Sequence, residues 1–329
     1  MPLRVALRSA LRPTVRLGGV QRVADREQLG STRKRTRRTW SPRRTRTRRS
    51  LCSAKSAPST LTTSMCRGAR TATDRHRFIG EESWAAGDQG ALTHEPTWVV
   101  DPIDGTTNFC KGFPYVCISI GFVYNSVPTI GVLFAPFLGY LYYARHGHGA
   151  FMCSPMHPEP CRLPLNKPQP LPTFKQALIA FEWGSDRSPE VLDCKTRTYK
   201  RLVGDGSAGI NGGLMALGVR SLGSAALNFA HVAMGCLDLY WEIGCWAWDV
   251  CAGIVIAQEA GCAVVGSKDV TRIALASPTS FGHHVPIDVL TGRKYVVVRK
   301  IANTPHESGS NAQKRIIGQF YDAVEEWDP

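Results

Sequence analysis

Residues 1–77 hold 21 of the chain's 40 Lys and Arg residues but only three acids, Asp25, Glu27 and Asp74. Residues 78–329 therefore carry 19 basic against 23 acidic groups, and the formal charge of +14 divides into a strongly basic arm and a mildly acidic remainder. The arm, with "STRKRTRRTWSPRRTRTRRS" at its centre, has too few large apolar side chains to bury a core, and it is expected to be disordered. Folding is thus expected of residues 78–329, long enough for one large domain or two intimate ones.

The basic charge invites a nucleic-acid reading, but Trp40 is nearly the only aromatic among the arm's cations, which argues against it. Arg4, Arg8, Arg12 and Arg16 in the acid-free stretch "MPLRVALRSALRPTVRLGGV" fall on one helical face, as in a mitochondrial presequence. A solvated extension with no evolved role is the third reading. Eleven cysteines without a Cys-x-x-Cys pair or a secretory signal point to a reducing compartment, the cytoplasm or, if the arm is a presequence, the mitochondrial matrix. The longest apolar stretch, "LYWEIGCWAWDVCAGIVIAQEAG", is interrupted by Glu242 and Asp249, so no membrane span is expected.

Order is expected to begin near Phe78. "TWVV" reads as a buried strand, and residues 116–153 as an antiparallel meander broken at Asn125-Ser126, Pro136–Gly139 and Gly147–Gly149. The proline-rich residues 154–172 read as a surface loop between an N-terminal half, 78–153, and a C-terminal half, 173–329. In the second half "ALIAFEWG" reads as a strand, "VLDCKTRTYKRLVG" as a helix and "DGSAGINGG" as a mobile loop. "SLGSAALNFAHVAMG" reads as a helix, "CLDLYWEIG" as a strand, and "DVCAGIVIAQEAG" as a helix with Asp249 at its N-cap and Gly261 just past its end. A terminal helix over about Ala312–Glu326 presents Ile316, Ile317, Phe320 and Val324 to a core. The fold class expected is α+β, with helices layered on mixed sheets.

The chemistry concentrates in "WVVDPIDGTTNF", residues 98–109. A strand delivers Asp101 to a sheet edge, Pro102 stiffens the turn, and Asp104 returns to the same side. Two carboxylates so close repel unless a proton or a cation lies between them. Mg²⁺ is the economical answer, because it takes oxygen ligands and the turn also offers the Ile103 carbonyl. Gly105-Thr106-Thr107 at a helix start offers backbone N–H groups to an anion. Glu81 and Glu82 in "FIGEES" and Asp249 in "CWAWD" add two further acidic clusters, the donor set of a two-metal phosphatase. A plain capped turn is the competing reading of the Asp-Pro-x-Asp-Gly stretch.

"FIGEES", "WVVDPIDGTTNF" and "WEIGCWAWDVCAGIVIAQEAG", in this order and at these separations, resemble the inositol monophosphatase family of Mg²⁺-dependent, lithium-sensitive phosphatases. "EWGSDR" and "CWAWD" look most like its fungal members. The resemblance implies a layered αβαβα sandwich, a homodimer, and hydrolysis of a myo-inositol monophosphate by an activated water, within inositol metabolism and phosphatidylinositol signalling. It implies two or three Mg²⁺ ions: Glu81, Asp101 and the Ile103 carbonyl for the first, and Asp101, Asp104 and Asp249 for the second. Gly105 and Thr106 would meet the phosphate, Glu81 and Thr106 would orient the water, Glu242 would accept inositol hydroxyl groups, and Ser224 and Ala225 would line the substrate. Glu82 is read as a solvated neighbour.

The N-terminus departs from the family pattern. "TATD", Thr71–Asp74, abuts "RHRFIGEES", where family members carry an amphipathic helix, and the arm before it does not resemble the first family helix. Missing helices would leave apolar sheet surface uncovered. Two other readings follow: a phosphatase for another small phosphate ester, such as a nucleotide or sugar bisphosphate, or a catalytically impaired binding protein.

Overall fold

A computed structural model describes residues 76–85, 90–276 and 285–329. Residues 1–75 of the basic arm, with its three readings and with Thr71 and Asp74, lie outside the described residues. The order read from Phe78 onward starts with β1 (Arg77–Gly80), followed by the short helix α1 (Glu81–Ala85), β2 (Thr97–Asp104) and α2 (Thr106–Lys111). The meander follows as β3 (Cys117–Tyr124), β4 (Val127–Ala135), β5 (Tyr140–Arg145) and β6 (Ala150–Cys153), closed by β7 (Cys161–Arg162). These seven strands form one sheet in sequence order, with β1 parallel to β2 and all other pairs antiparallel. Asn125 and Ser126 both take left-handed φ, 50° and 62°, matching the twist a tight two-residue hairpin demands.

The second sheet has the order β11-β12-β10-β8-β9, from β8 (Leu178–Phe181), β9 (Gly218–Arg220), β10 (Leu239–Ile243), β11 (Ala263–Val265) and β12 (Lys294–Val298). It is mixed: β8 is parallel to β9 and β10, whereas β12 is antiparallel to both neighbours. Two pairs of longer helices complete the layering. The helices α3 (Pro189–Val203), α4 (Ala225–Met234) and α5 (Ala247–Glu259) precede the short α6 (Lys268–Ala276) and α7 (Ile287–Thr291), and α8 (Gly309–Ala323) closes the chain. α4 and α5 lie between the sheets, sharing a core with Val99, Val123, Leu133, Tyr240 and Val297. α3 and α8 cover the far face of the second sheet, where Leu202, Ile316, Ile317 and Phe320 pack with Trp241 and Val296. Sheet, helix pair, sheet and helix pair thus succeed one another among the described residues, an α+β sandwich as expected, with four of the five layers that the resemblance implies. The other face of the first sheet carries Trp98, Ile120, Phe122 and Phe134, all half-buried.

A helix can approach the first sheet closely because the sheet offers glycines. A Cβ on Gly131 would overlap the Ala252 backbone, and one on Gly121 would overlap the Cys251 side chain. Gly131→Ala is expected to cost about 1–3 kcal/mol through overpacking, lowering the melting temperature by about 2–4 °C per kcal/mol. A calorimetric scan with an unchanged midpoint would show that α5 can back away from β4 freely.

Several sequence expectations need correction. Asp249 is not the N-cap of α5: Trp246 is, and Asp249 stands three residues inside the first turn, with its carboxylate Oδ2 accepting the Trp246 N–H at 2.7 Å. The reason is that Asp can serve a helix start from either end of the capping exchange. Gly261, at φ 86°, does follow the helix end as read. The terminal helix begins at Gly309 behind Ser308, whose hydroxyl accepts the Asn311 N–H, and ends at Ala323, before Val324 and Glu326. The proline-rich stretch is not wholly surface: it contains β7, and Leu163 and Leu171 are buried. The glycine loop is pinned, since the Asp205 carboxylate accepts the Ser207 N–H at 2.8 Å and Asp205 bridges Leu214. No element was read between Gly261 and Ala312, where β11 and β12 supply fully buried core residues.

Candidate metal centre

β2 alternates regularly, with Thr97, Val99 and Asp101 on the inner face. A regular strand would send Asp104, three residues on, to the opposite face. The pairing with β3 shifts register between Asp101 and Asp104, and this irregularity turns Asp104 inward beside Asp101. Asp249, in the first turn of α5, reaches the same point, so that one oxygen from each of Asp101, Asp104 and Asp249 lies within 4.8 Å of the others.

Each carboxylate is held by the scaffold through one oxygen. Asp101 Oδ1 accepts the Ile103 N–H at 2.8 Å. Asp104 Oδ2 accepts the Ser224 hydroxyl, the Ala226 N–H at 3.0 Å and the Cys117 thiol at 3.7 Å. Asp249 Oδ2 accepts the Trp246 N–H. Burial pushes the Asp101 carboxyl up, and the charges of Asp104, Asp249 and Glu81 push it further. Burial also raises Asp104, against the hydrogen bonds from Ser224, Ala226 and Cys117, and raises Asp249, helped by Asp104. Two buried carboxyl groups and a half-buried third that resist ionising together, with only oxygen donors and no ion pair among the described residues, fit a hard cation. The cluster can hold a metal ion.

Glu81 opens α1 and lies outside the 4.8 Å cluster, half-buried, though close enough for its charge to raise both Asp101 and Asp249. Its segment docks through aromatic rings: Trp84 lies 5.0 Å from Trp246 and 5.7 Å from Trp248, which brings "FIGEES" against "CWAWD". Glu82 is exposed. The Ile103 carbonyl accepts the Thr106 hydroxyl at 3.2 Å. Gly105, at φ 88°, caps α2, and a Cβ there would press on the Tyr115 and Gly223 carbonyls, so the turn demands glycine. Thr106 begins α2, where backbone N–H groups lack helical partners.

Ser224 is the N-cap of α4 and is fully committed: its hydroxyl donates to Asp104 and accepts the Leu227 N–H at 3.2 Å. Ala225 is buried in the following turn. Glu242 faces the α4–α5 side of its strand because it alternates with Trp241 and Ile243, which face the α3–α8 side. Burial and the charge of Glu182 push its carboxyl up to about 8, and its Oε2 accepts the Tyr240 hydroxyl at 3.0 Å.

Sequence reasoning passed over Glu182, Asn108 and Cys117. Asn108 Nδ2 donates to the Tyr115 and Leu222 carbonyls at 2.9 and 2.7 Å, tying α2 to the segment before α4. The available signal for Glu182 was an acid ending the apolar run "LIAF", at the mouth of a buried strand. Among the described residues, no helix is long and apolar enough to cross a membrane.

The comparisons with known proteins agree with one another. The model of the inositol monophosphatase family matches residues 54–314, a range that takes in part of the segment assigned above to the basic arm. The quinic acid degradation cluster protein x of Neurospora crassa is 41% identical over 77% of this chain and 74% of its own length. Inositol monophosphatase 2 of Saccharomyces cerevisiae is 45% identical over 58% of this chain and 62% of its own. The solved structure of Mycobacterium tuberculosis SuhB superposes with a TM-score of 0.55 at 23% identity, over 81% of this chain and 83% of that one, which speaks for the fold. With the matched range covering most of the chain and the fold shared, the chain belongs to the inositol monophosphatase family and is a phosphomonoester hydrolase.

Proposed function

We propose that this protein hydrolyses a myo-inositol monophosphate to inositol and phosphate, using two or three Mg²⁺ ions. The observation that supports the reading is the convergence of the buried Asp101 and Asp104 with the half-buried Asp249 at one point. Glu81, Asp101 and the Ile103 carbonyl would hold one ion, and Asp101, Asp104 and Asp249 another. When bound, the ions would supply Lewis-acid activation of a water and neutralise the leaving oxygen. Gly105 and Thr106 would offer N–H groups to the phosphate oxygens, and Thr106 with Glu81 would orient the attacking water. Ser224 and Ala225 would line one wall, and Glu242 would accept hydrogen bonds from ring hydroxyl groups. A homodimer in the cytoplasm, or in the mitochondrial matrix if the arm is a presequence, completes the reading.

The test is phosphate release from inositol monophosphates with and without Mg²⁺. The rate is expected to fall to background on chelation and to return when Mg²⁺ is added back. Full activity in excess chelator would remove the metal from the reaction.

A second reading keeps the reaction and changes the substrate. The Neurospora crassa relative is named for quinic acid degradation, which favours a different small phosphate ester. A panel of inositol monophosphates, sugar bisphosphates and nucleotide bisphosphates, compared by kcat/KM, separates the two. A preference of an order of magnitude for a non-inositol ester would replace the first reading.

A further inference from the structure

β8 and β10 run parallel with Phe181 opposite Trp241, so the next residues, Glu182 and Glu242, emerge side by side at neighbouring strand ends. Both are buried, yet their surroundings differ. Glu242 has a single side-chain donor, the Tyr240 hydroxyl, and retains acceptor capacity for a ligand. Glu182 is saturated. Its Oε1 accepts the Leu222 N–H at 2.7 Å, the Gly223 N–H at 2.9 Å and the Asn228 Nδ2 at 2.9 Å, and its Oε2 accepts the Ser221 hydroxyl at 2.8 Å. No ion pair offsets it among the described residues; its partners are all neutral donors.

Three of those four donors come from the consecutive residues 221–223, and the fourth comes from α4. The next residue along the chain is Ser224, whose hydroxyl, together with the Ala226 N–H, grips Asp104 Oδ2. From the opposite side Asn108 holds the Leu222 carbonyl. The segment 221–223 is thus clamped between Glu182 and α2, and the clamp ends at a carboxylate of the metal cluster.

We propose that Glu182 is a positioning residue for the phosphatase reaction: it fixes the start of α4 so that Ser224 and Ala226 hold Asp104 where it can take a cation. This rests on the reading of Asp101, Asp104 and Asp249 as a metal site. Partners that orient a metal ligand typically contribute about 10–100-fold to metal affinity. Glu182→Leu removes every acceptor, and Glu182→Asp withdraws the carboxylate by one methylene. Glu182→Gln keeps an oxygen for the three N–H donors and turns its amide toward the Ser221 hydroxyl, which can accept.

The experiment measures Mn²⁺ binding to metal-free full-length protein by electron paramagnetic resonance, since Mn²⁺ shares the oxygen preference of Mg²⁺. It is paired with amide hydrogen exchange over residues 221–227. Glu182→Leu and Glu182→Asp are expected to weaken Mn²⁺ binding at least about tenfold and to speed exchange in that peptide, with Glu182→Gln within about threefold of wild type. Ile317→Val, which removes a buried methylene from α8 on the far face of the second sheet, is expected to lower stability and leave Mn²⁺ affinity unchanged, so general destabilisation does not mimic the effect. Should Glu182→Leu fail to fold, Glu182→Asp decides. Wild-type Mn²⁺ affinity and protected 221–227 amides in Glu182→Asp overturn the inference while leaving the metal reading intact. Wild-type protein that binds no Mn²⁺ overturns both.

Discussion

Asp104→Asn is expected to reduce Mg²⁺-dependent phosphate release by more than about 100-fold, beyond the loss typical of a partner that merely orients a ligand. The same variant is expected to melt at a higher temperature than wild type when both are metal-free. Asp104 is buried and its carboxyl is raised by that burial, so ionising it near neutral pH opposes folding. An amide of the same shape can still accept the Ser224 and Ala226 donors and carries no charge to desolvate. Activity lost and stability gained is therefore the joint signature of a metal ligand. Phosphate release at the wild-type rate would remove Asp104 from the site, and a lowered metal-free melting temperature would show that Asn does not fill its place.

The second large effect concerns Glu242 and pH. Its carboxyl is raised from 4.5 to about 8, chiefly by burial and then by Glu182, while the Tyr240 hydroxyl, Lys195 and the Ile243 amide pull it down. The folded state thus binds a proton that the unfolded chain has released. Its contribution is fully present below about pH 4.5 and is lost as the pH climbs through about 8. Glu242→Gln abolishes this dependence, because an amide does not titrate. Urea unfolding of metal-free protein at about pH 5 and about pH 8 is expected to give a smaller stability drop in Glu242→Gln than in wild type. Equal drops would mean that the Glu242 carboxyl has an ordinary affinity for protons. The same variant tests the substrate reading, since it is expected to raise KM for an inositol monophosphate more than it lowers kcat.

Much of the fold was legible because its signals are short-range. Alternation of apolar and polar residues marks β2 and the meander, and Asn125-Ser126 marks a hairpin, since strand periodicity and turn sterics act within a few residues. The two ends of α8 differ from the expectation because the helix, capped by Ser308, begins at Gly309 and ends at Ala323, three residues earlier at each end, and apolar spacing says nothing about caps. β11 and β12 escaped because short buried strands read as undifferentiated apolar runs. Glu182 escaped for a different reason: its one local mark, an acid closing the apolar run of β8, does not tell an acid that donors will surround from one that will face water.

The order of residues alone laid out the groups available for chemistry: two acids in one stiff turn, a glycine and threonines after them, and a third acid in the first turn of an apolar helix of the second half. Tertiary structure decided which of those groups meet. The register shift in β2 turned Asp104 to the side of Asp101, and the packing of α5 between the sheets brought Asp249 across to them. The clamp at Glu182 set the donors on Asp104 from a strand 78 residues further along the chain. Backbone sterics and side-chain period reach only to neighbouring residues, whereas the position of a carboxylate in space depends on how whole layers pack, and that sum is made only in the folded chain.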